Sequence, residues 1–294
     1  MAPSSRMVYA RAWRLFQQCL ELLGEVPISV NSLPLAPNII LFFIGYLSLR
    51  GFASASITTY VSAIGYVHKI KSVHDPTSCH LVQKVLAAIS KVSPSSDTRL
   101  PITLLILQQL VDALPTVVSN RYNMVMLQAM FVLAFFGLMR IGEFTGAANS
   151  KSQLSLDQVK IHLDHVAIKI THFKHNTSFK PFDLMLPIQS NPAICPVRTL
   201  SLYLSLRKGG KGPLFIFADG ESVPRQFFTT RLQACINFIG LNSRLYKSHS
   251  FRIGAASMYA SLGMSDSQLR ILGRWKSDAF KRYIRCQRLH TSSQ

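Results

Sequence analysis

Acidic residues are scarce in this chain. Against 32 Lys and Arg there are 13 Asp and Glu over 294 residues, a formal net charge of +19 with a pI ≈ 10.1. The excess is spread along most of the sequence. A solvated, ribosome-like basic surface would account for it. A polyanion partner accounts for it better, because neutralising phosphates releases counterions and drives binding. Cysteine patterns are missing too: Cys19, Cys79, Cys195, Cys235 and Cys286 stand singly, with no C-x-x-C pair. That argues against a disulfide framework or a cysteine zinc site and for reduced thiols in an intracellular protein. The nine histidines form neither H-x-x-x-H nor H-E-x-x-H, so no metal site is expected. Long apolar runs are absent as well. Ile39–Leu49 is too short to span a bilayer, and Met124–Met139 contains Gln128 and stops at Arg140, short of the ~20 residues a span needs. The opening MAPSSRMVYARAWRLF lacks the apolar core and cleavage site of a secretory signal. No internal repeat or low-complexity tract is present.

What is there is enough apolar residue, 48%, to build cores, over a length that fits about two domains. The first ninety-odd residues read as helices only. Val8–Leu23 is apolar-periodic and stops at Gly24; Pro37-Asn38 precede Ile39–Leu49; Ile57, Val61, Ile64 and Val67 repeat at helical spacing behind Ser54 or Ser56 as cap. Asp75-Pro76 breaks the chain, and Leu81–Ile89 makes a fourth helix of a small bundle. Lys69, Lys71, Lys84 and Lys91 either face phosphates or form a solvated face. The Ser- and Pro-rich stretch 91–98, KVSPSSDT, reads as a linker, dividing the chain into domains 1–95 and 96–294. Beyond it, Pro101–Leu114 reads as a helix ended by Pro115, and Arg121–Met139 as a helix buried through the second domain. Val159–Leu163, Val166–Phe173 and Phe182–Leu186 read as strands of a small antiparallel sheet, with a turn at 175–178. Helices are expected from Cys195-Pro196 to Leu206 and over Phe227–Ile239, with a loop at Lys208–Gly212 between them. The fold class is mainly α with a small antiparallel sheet, α+β.

The densest chemistry lies near the C-terminus. From Arg244 to Arg288 there are ten Lys and Arg and only two acids, Asp266 and Asp278. Within that stretch His249 and Arg252 sit at i and i+3, on one face of a helix. Gly273-Arg274-Trp275 follows, and Tyr283 is the only tyrosine after Trp275. Upstream, Arg140 closes the buried helix in LMRIGEF, where Glu143 is placed to orient its guanidinium. Singly, each has an ordinary reading. Arg140 relieves a helix dipole, His-x-x-Arg is structural, Trp275 packs a core, Tyr283 lines a helix face, and Lys174 beside the hairpin turn is solvated like Lys169 or Lys180.

Together, Arg140 with Glu143, the hairpin Lys174, His249-x-x-Arg252, Leu272-Gly273-x-Trp275 and Tyr283 resemble the tyrosine recombinase, or phage integrase, family. The segments CPVRTLSLYL and HSFRIGAAS resemble its catalytic segments, and the wording HSFRIGAAS…LGRWKSDAFKRYIR is most similar to recombinases of eukaryotic mobile elements, the DIRS-type retrotransposons and cryptons. Trp275 stands where many members have His, one residue nearer the tyrosine than in many bacterial members.

The resemblance implies an N-terminal helical core-binding, DNA-binding domain and a catalytic domain that close on duplex DNA as a C-shaped clamp. It also implies strand cleavage and rejoining through a 3′-phosphotyrosyl intermediate on Tyr283. Arg140 and Arg252 would hold the non-bridging oxygens, with Trp275 and His249 as further donors. A phenol ionises near ~10 in water, so the nucleophile needs a base, and His249 is the candidate. Lys174 would protonate the leaving 5′-oxygen. No cofactor is implied, since bond energy is conserved in the phosphotyrosine. The expected partners are double-stranded DNA and further protomers, as a tetramer on two sites, with no membrane. The expected location is intracellular, and nuclear if the source is eukaryotic. Two other readings stay open: a domesticated DNA-binding protein that no longer cleaves, and a type IB topoisomerase-like relaxing enzyme.

Overall fold

The computed structural model describes residues 3–24, 33–92, 97–146, 153–173 and 180–285. The chain divides into two units, Met1–Asp97 and Thr98–Gln294. Their described parts are ten α-helices and one three-stranded antiparallel sheet, in keeping with the patterning. None of the described helices is long and apolar enough to cross a membrane.

The first unit is built from α1 (Pro3–Leu22), α2 (Pro37–Leu49), α3 (Ser54–Ile70) and α4 (His80–Val92). Their apolar faces meet in a core of Phe16, Leu20, Ile40, Phe43, Leu47 and Ile64, with the rings of Phe16 and Phe43 edge to face at 5.1 Å. Neither Ser54 nor Ser56 caps α3. The N-cap is Ala53, because the turn at Gly51 (φ 73°) delivers the extended backbone one residue earlier and leaves Ser54 in the buried first turn. At the break before α4, Asp75 caps a 3-10 turn, accepting from the Thr77 amide at 2.9 Å and the Thr77 hydroxyl at 2.7 Å, with Lys69 3.4 Å away. The other candidate lysines, Lys71, Lys84 and Lys91, are exposed.

The second unit is organised on α6 (Arg121–Phe136), which is buried from Val125 to Phe136 except at Gln128. Gln128 tolerates this position because its amide donates to the Ala193 carbonyl at 2.8 Å. α5 (Leu104–Val117), α7 (Pro196–Leu206) and α9 (Ser248–Ser261) pack around it. Pro115 does not end α5, which runs two residues further. In the last turn its fixed φ is still helical, and only one backbone bond is lost. The sheet is β1 (Val159–Ile161), β2 (His165–Ile170) and β3 (Phe182–Pro187), in that order, with Val166 opposite Leu186 and Ile168 opposite Leu184 facing the core. The turn expected at 175–178 lies outside the described residues. α8 (Arg225–Phe238), α10 (Asp266–Leu272) and a 3-10 turn, Asp278–Tyr283, complete the unit. A Cβ on Gly254 of α9 would run into the Ile102 carbonyl. Glycine there lets the segment before α5 lie directly on α9, where the Ile102 amide donates to Ser250 O at 3.0 Å.

Candidate active site

α6 is capped by Gly137, and Leu138 takes a left-handed φ of 47°, turning its carbonyl toward α9 and throwing the chain into a short 3-10 turn, Ile141–Glu143. Arg140 is the N-cap of that turn. The Glu143 carboxylate reaches back to it, with Oε2 accepting from the Arg140 amide at 3.0 Å and Oε1 from Nη1 at 3.2 Å. Glu143 is buried, while the Arg140 side chain keeps 22% of its surface. The local sequence R-x-x-E is therefore a cap in which the carboxylate holds both the amide and the guanidinium of a partly exposed arginine.

The first turn of α9 carries His249 and Arg252. Arg252 is fully buried: Nη1 donates to Leu138 O, and Nη2 to Gly273 O at 2.9 Å. Its guanidinium lies 4.5 Å from the Trp275 ring centroid and 5.6 Å from that of Tyr283. Burial, and then the nearby charges of Arg140 and Arg274, push the Arg252 pKa down, against the opposing pull of Glu143 and Tyr283. The indole of Trp275 folds back over Gly273, so close that a Cβ there would overlap the ring. His249 Nε2 lies 2.7 Å from the phenolic oxygen of Tyr283, and the Trp275 and Tyr283 rings are 5.1 Å apart. α9 also fixes the backbone around the phenol. The Ser257 hydroxyl accepts from the Arg285 amide at 2.8 Å, and its one proton is shared between Ile253 O at 2.8 Å and Tyr283 O at 3.2 Å.

Six of the seven site residues expected from the sequence thus fall in one cluster: Arg140, Glu143, His249, Arg252, Trp275 and Tyr283. The seventh, Lys174, lies outside the described residues. One member of the cluster carries no motif of its own. Arg274, at φ 54°, is buried and donates through Nη2 to Glu143 Oε2 at 2.9 Å. Its only sequence signal is its place between Gly273 and Trp275 in a stretch poor in acids.

Charge and donors are both in surplus here. Three guanidiniums, of Arg140, Arg252 and Arg274, face the single carboxylate of Glu143, leaving two unbalanced positive charges. Among the described residues, Nε of Arg252, Nε of Arg274 and Nε1 of Trp275 are buried without a partner. Orphaned buried donors in a cationic pocket are suited to an oxyanion. Among the described residues no group of His, Cys, Asp or Glu is placed to hold a metal ion.

No protein-family model matches the chain, and no curated protein matches it. Solved structures do. A lambda integrase dimer bound to a COC′ core site aligns with 100% of this chain and 75% of its own at 14% identity, TM-score 0.61. XerH site-specific recombinase bound to palindromic difH substrate aligns over 94% and 73% at 16% identity, TM-score 0.61. The Tn1549 transposon integrase with circular intermediate DNA aligns over 97% and 90% at 13% identity, TM-score 0.62. The helical scaffold with its three-stranded sheet, which brings these side chains together, is the fold of the tyrosine recombinase catalytic domain.

Proposed function

We propose that this chain is a site-specific DNA recombinase that cuts and rejoins duplex DNA through Tyr283. The carrying observation is the 2.7 Å contact between His249 Nε2 and the Tyr283 hydroxyl beside a pocket with more guanidinium than carboxylate. The phenolic oxygen attacks phosphorus and its proton passes to His249 Nε2. The P–O5′ bond breaks and the 5′-oxygen takes a proton, a role the reading gives to Lys174. Arg140, whose side chain is partly exposed, stabilises the charge on the non-bridging oxygens. Arg252, fully buried with its two terminal nitrogens held by carbonyls, contributes its charge, and Trp275 contributes Nε1. Each neighbouring structure named above holds a recombinase or integrase on DNA. That supports double-stranded DNA as partner, with 1–95 as its helical core-binding domain and 96–294 as the catalytic domain. The wording of the C-terminal motif supports a mobile-element recombinase of the DIRS or crypton kind, working as a tetramer in a nucleus.

The test is covalent trapping on a library of randomised duplexes nicked near the attack site, so that the short leaving strand diffuses away. The wild-type chain is expected to form an SDS-stable protein–DNA adduct and Tyr283→Phe none. An adduct that persists in Tyr283→Phe refutes the nucleophile. A chain that binds the library but forms no adduct is a DNA-binding protein of this fold.

A further inference from the structure

We infer that Arg274 is a positioning residue of the cleavage site. By neutralising Glu143, it keeps the charge of Arg140 free for the phosphate. The inference rests on the reading of Tyr283 as nucleophile.

The Arg274 side chain is 1% exposed and each of its terminal nitrogens already serves two protein acceptors, where each of those of Arg252 serves one, so it acts through a neighbour. That neighbour is Glu143. One carboxylate oxygen takes Arg140 Nη1; the other takes both the Arg140 amide and Arg274 Nη2. A single negative charge is shared between two guanidiniums, and the one that keeps exposed surface is Arg140. Were Arg274 absent, the whole carboxylate charge would fall on Arg140, closing a neutral pair where the phosphate needs a cation.

Everything else about Arg274 fixes it in place. Nη1 donates to Gly137 O and Leu272 O, each at 3.4 Å, and Nη2 to Leu138 O at 3.3 Å. Its guanidinium lies 5.6 Å from the Phe182 ring centroid. Its left-handed φ of 54° is strained for a side chain of this size, and strain of that kind persists where surrounding contacts hold it. The Leu138 carbonyl is shared with Arg252. Arg274 therefore ties the segment leading to Tyr283 to the turn carrying Arg140 and Glu143.

The experiment measures single-turnover adduct formation on a nicked duplex recovered from the randomised library with wild-type protein. Binding to the same duplex is followed by anisotropy, and folding by thermal unfolding. Arg274→Met is expected to lower the cleavage rate by about 10²–10³, the loss that follows when Arg140 is taken out of play as a preorganised donor, with binding nearly unchanged. Adding Glu143→Gln to Arg274→Met removes the carboxylate that has closed on Arg140, so cleavage is expected to recover by about tenfold or more, against the additive expectation. A merely structural role ties any recovery to restored stability, so rates are compared at a temperature where every variant is folded, and a recovery that only tracks the unfolding temperature overturns the inference. Equal or lower cleavage in the double variant overturns the inference, as does wild-type cleavage in Arg274→Met. Arg274→Lys covers the case in which Arg274→Met does not fold. Its ammonium still neutralises Glu143, so cleavage within about tenfold of wild type is expected, and a larger loss in folded protein overturns the inference. Failure of the wild-type chain itself to form a Tyr283-dependent adduct sinks the underlying reading, and the inference with it.

Discussion

Glu143→Gln is the sharpest probe of how the second unit is held together. The side chain keeps its shape and loses its charge. In the native site the carboxylate accepts from the Arg140 amide at 3.0 Å, Arg140 Nη1 at 3.2 Å and Arg274 Nη2 at 2.9 Å. A carboxamide has one oxygen and an NH₂, so at least one of these donors meets another donor. Three guanidiniums are then left near one another, two of them buried, with no counter-charge. Breaking a buried ion pair from one side costs about 3–5 kcal/mol. For a unit the size of 98–294 that lowers the melting temperature by about 6–20 °C. Urea unfolding followed by fluorescence of Trp275, with Trp13 replaced by Phe, measures the loss in this unit. The double variant Glu143→Gln/Arg274→Met is expected to be more stable than Glu143→Gln alone, because it removes both partners rather than stranding one. Tens of millimolar sulfate should restore Glu143→Gln more than it raises wild type, by binding the uncovered cations. A loss below about 1 kcal/mol, the level of a surface ion pair, would refute the view that this carboxylate anchors the site.

Three other outcomes follow from the same structure. Gly254→Ala should destabilise the second unit by about 3 kcal/mol, since the added methyl meets the Ile102 backbone rather than a movable side chain; circular dichroism melting would show it. Burial opposes ionisation of Asp75, but Thr77 and Lys69 together hold its pKa below the usual carboxylate value. A depressed folded pKa contributes stability that is complete above the unfolded value, about 3.9, and is lost as pH falls through the folded one. The stability gap between wild type and Asp75→Asn should therefore be flat near neutrality and shrink below about pH 4 in urea titrations of the first unit. If phosphate contacts dominate DNA binding, affinity for duplex should fall by about a thousandfold between about 50 and 200 mM salt, and an anisotropy titration without such a fall would contradict it.

Periodicity and punctuation were enough to reveal the four helices of the first unit, the buried run that became α6, and the strand pairs of the sheet. Each depends on contacts within a few residues or on a repeating apolar face. Element ends were less legible. The choice of Ala53 over Ser54 as cap and the passage of α5 through Pro115 depend on how the neighbouring chain arrives, not on the residue's own preference. The order Arg140, His249, Arg252, Trp275, Tyr283 was readable as a motif, and Lys174 stays an expectation outside the described residues.

By itself, then, the sequence determined a helical chain with a small sheet, poor in acids, whose cationic residues recur in a recognisable order. Only tertiary structure decided how those charges are shared. Arg274 meets Glu143 across 131 positions, and Arg252 meets Leu138 across 114. No local pattern encodes such a pairing, because the guanidinium fork takes whichever carbonyl or carboxylate the packed backbone presents. Two left-handed turns, at Leu138 and Arg274, do the presenting, and they are held by the long-range contacts they make possible.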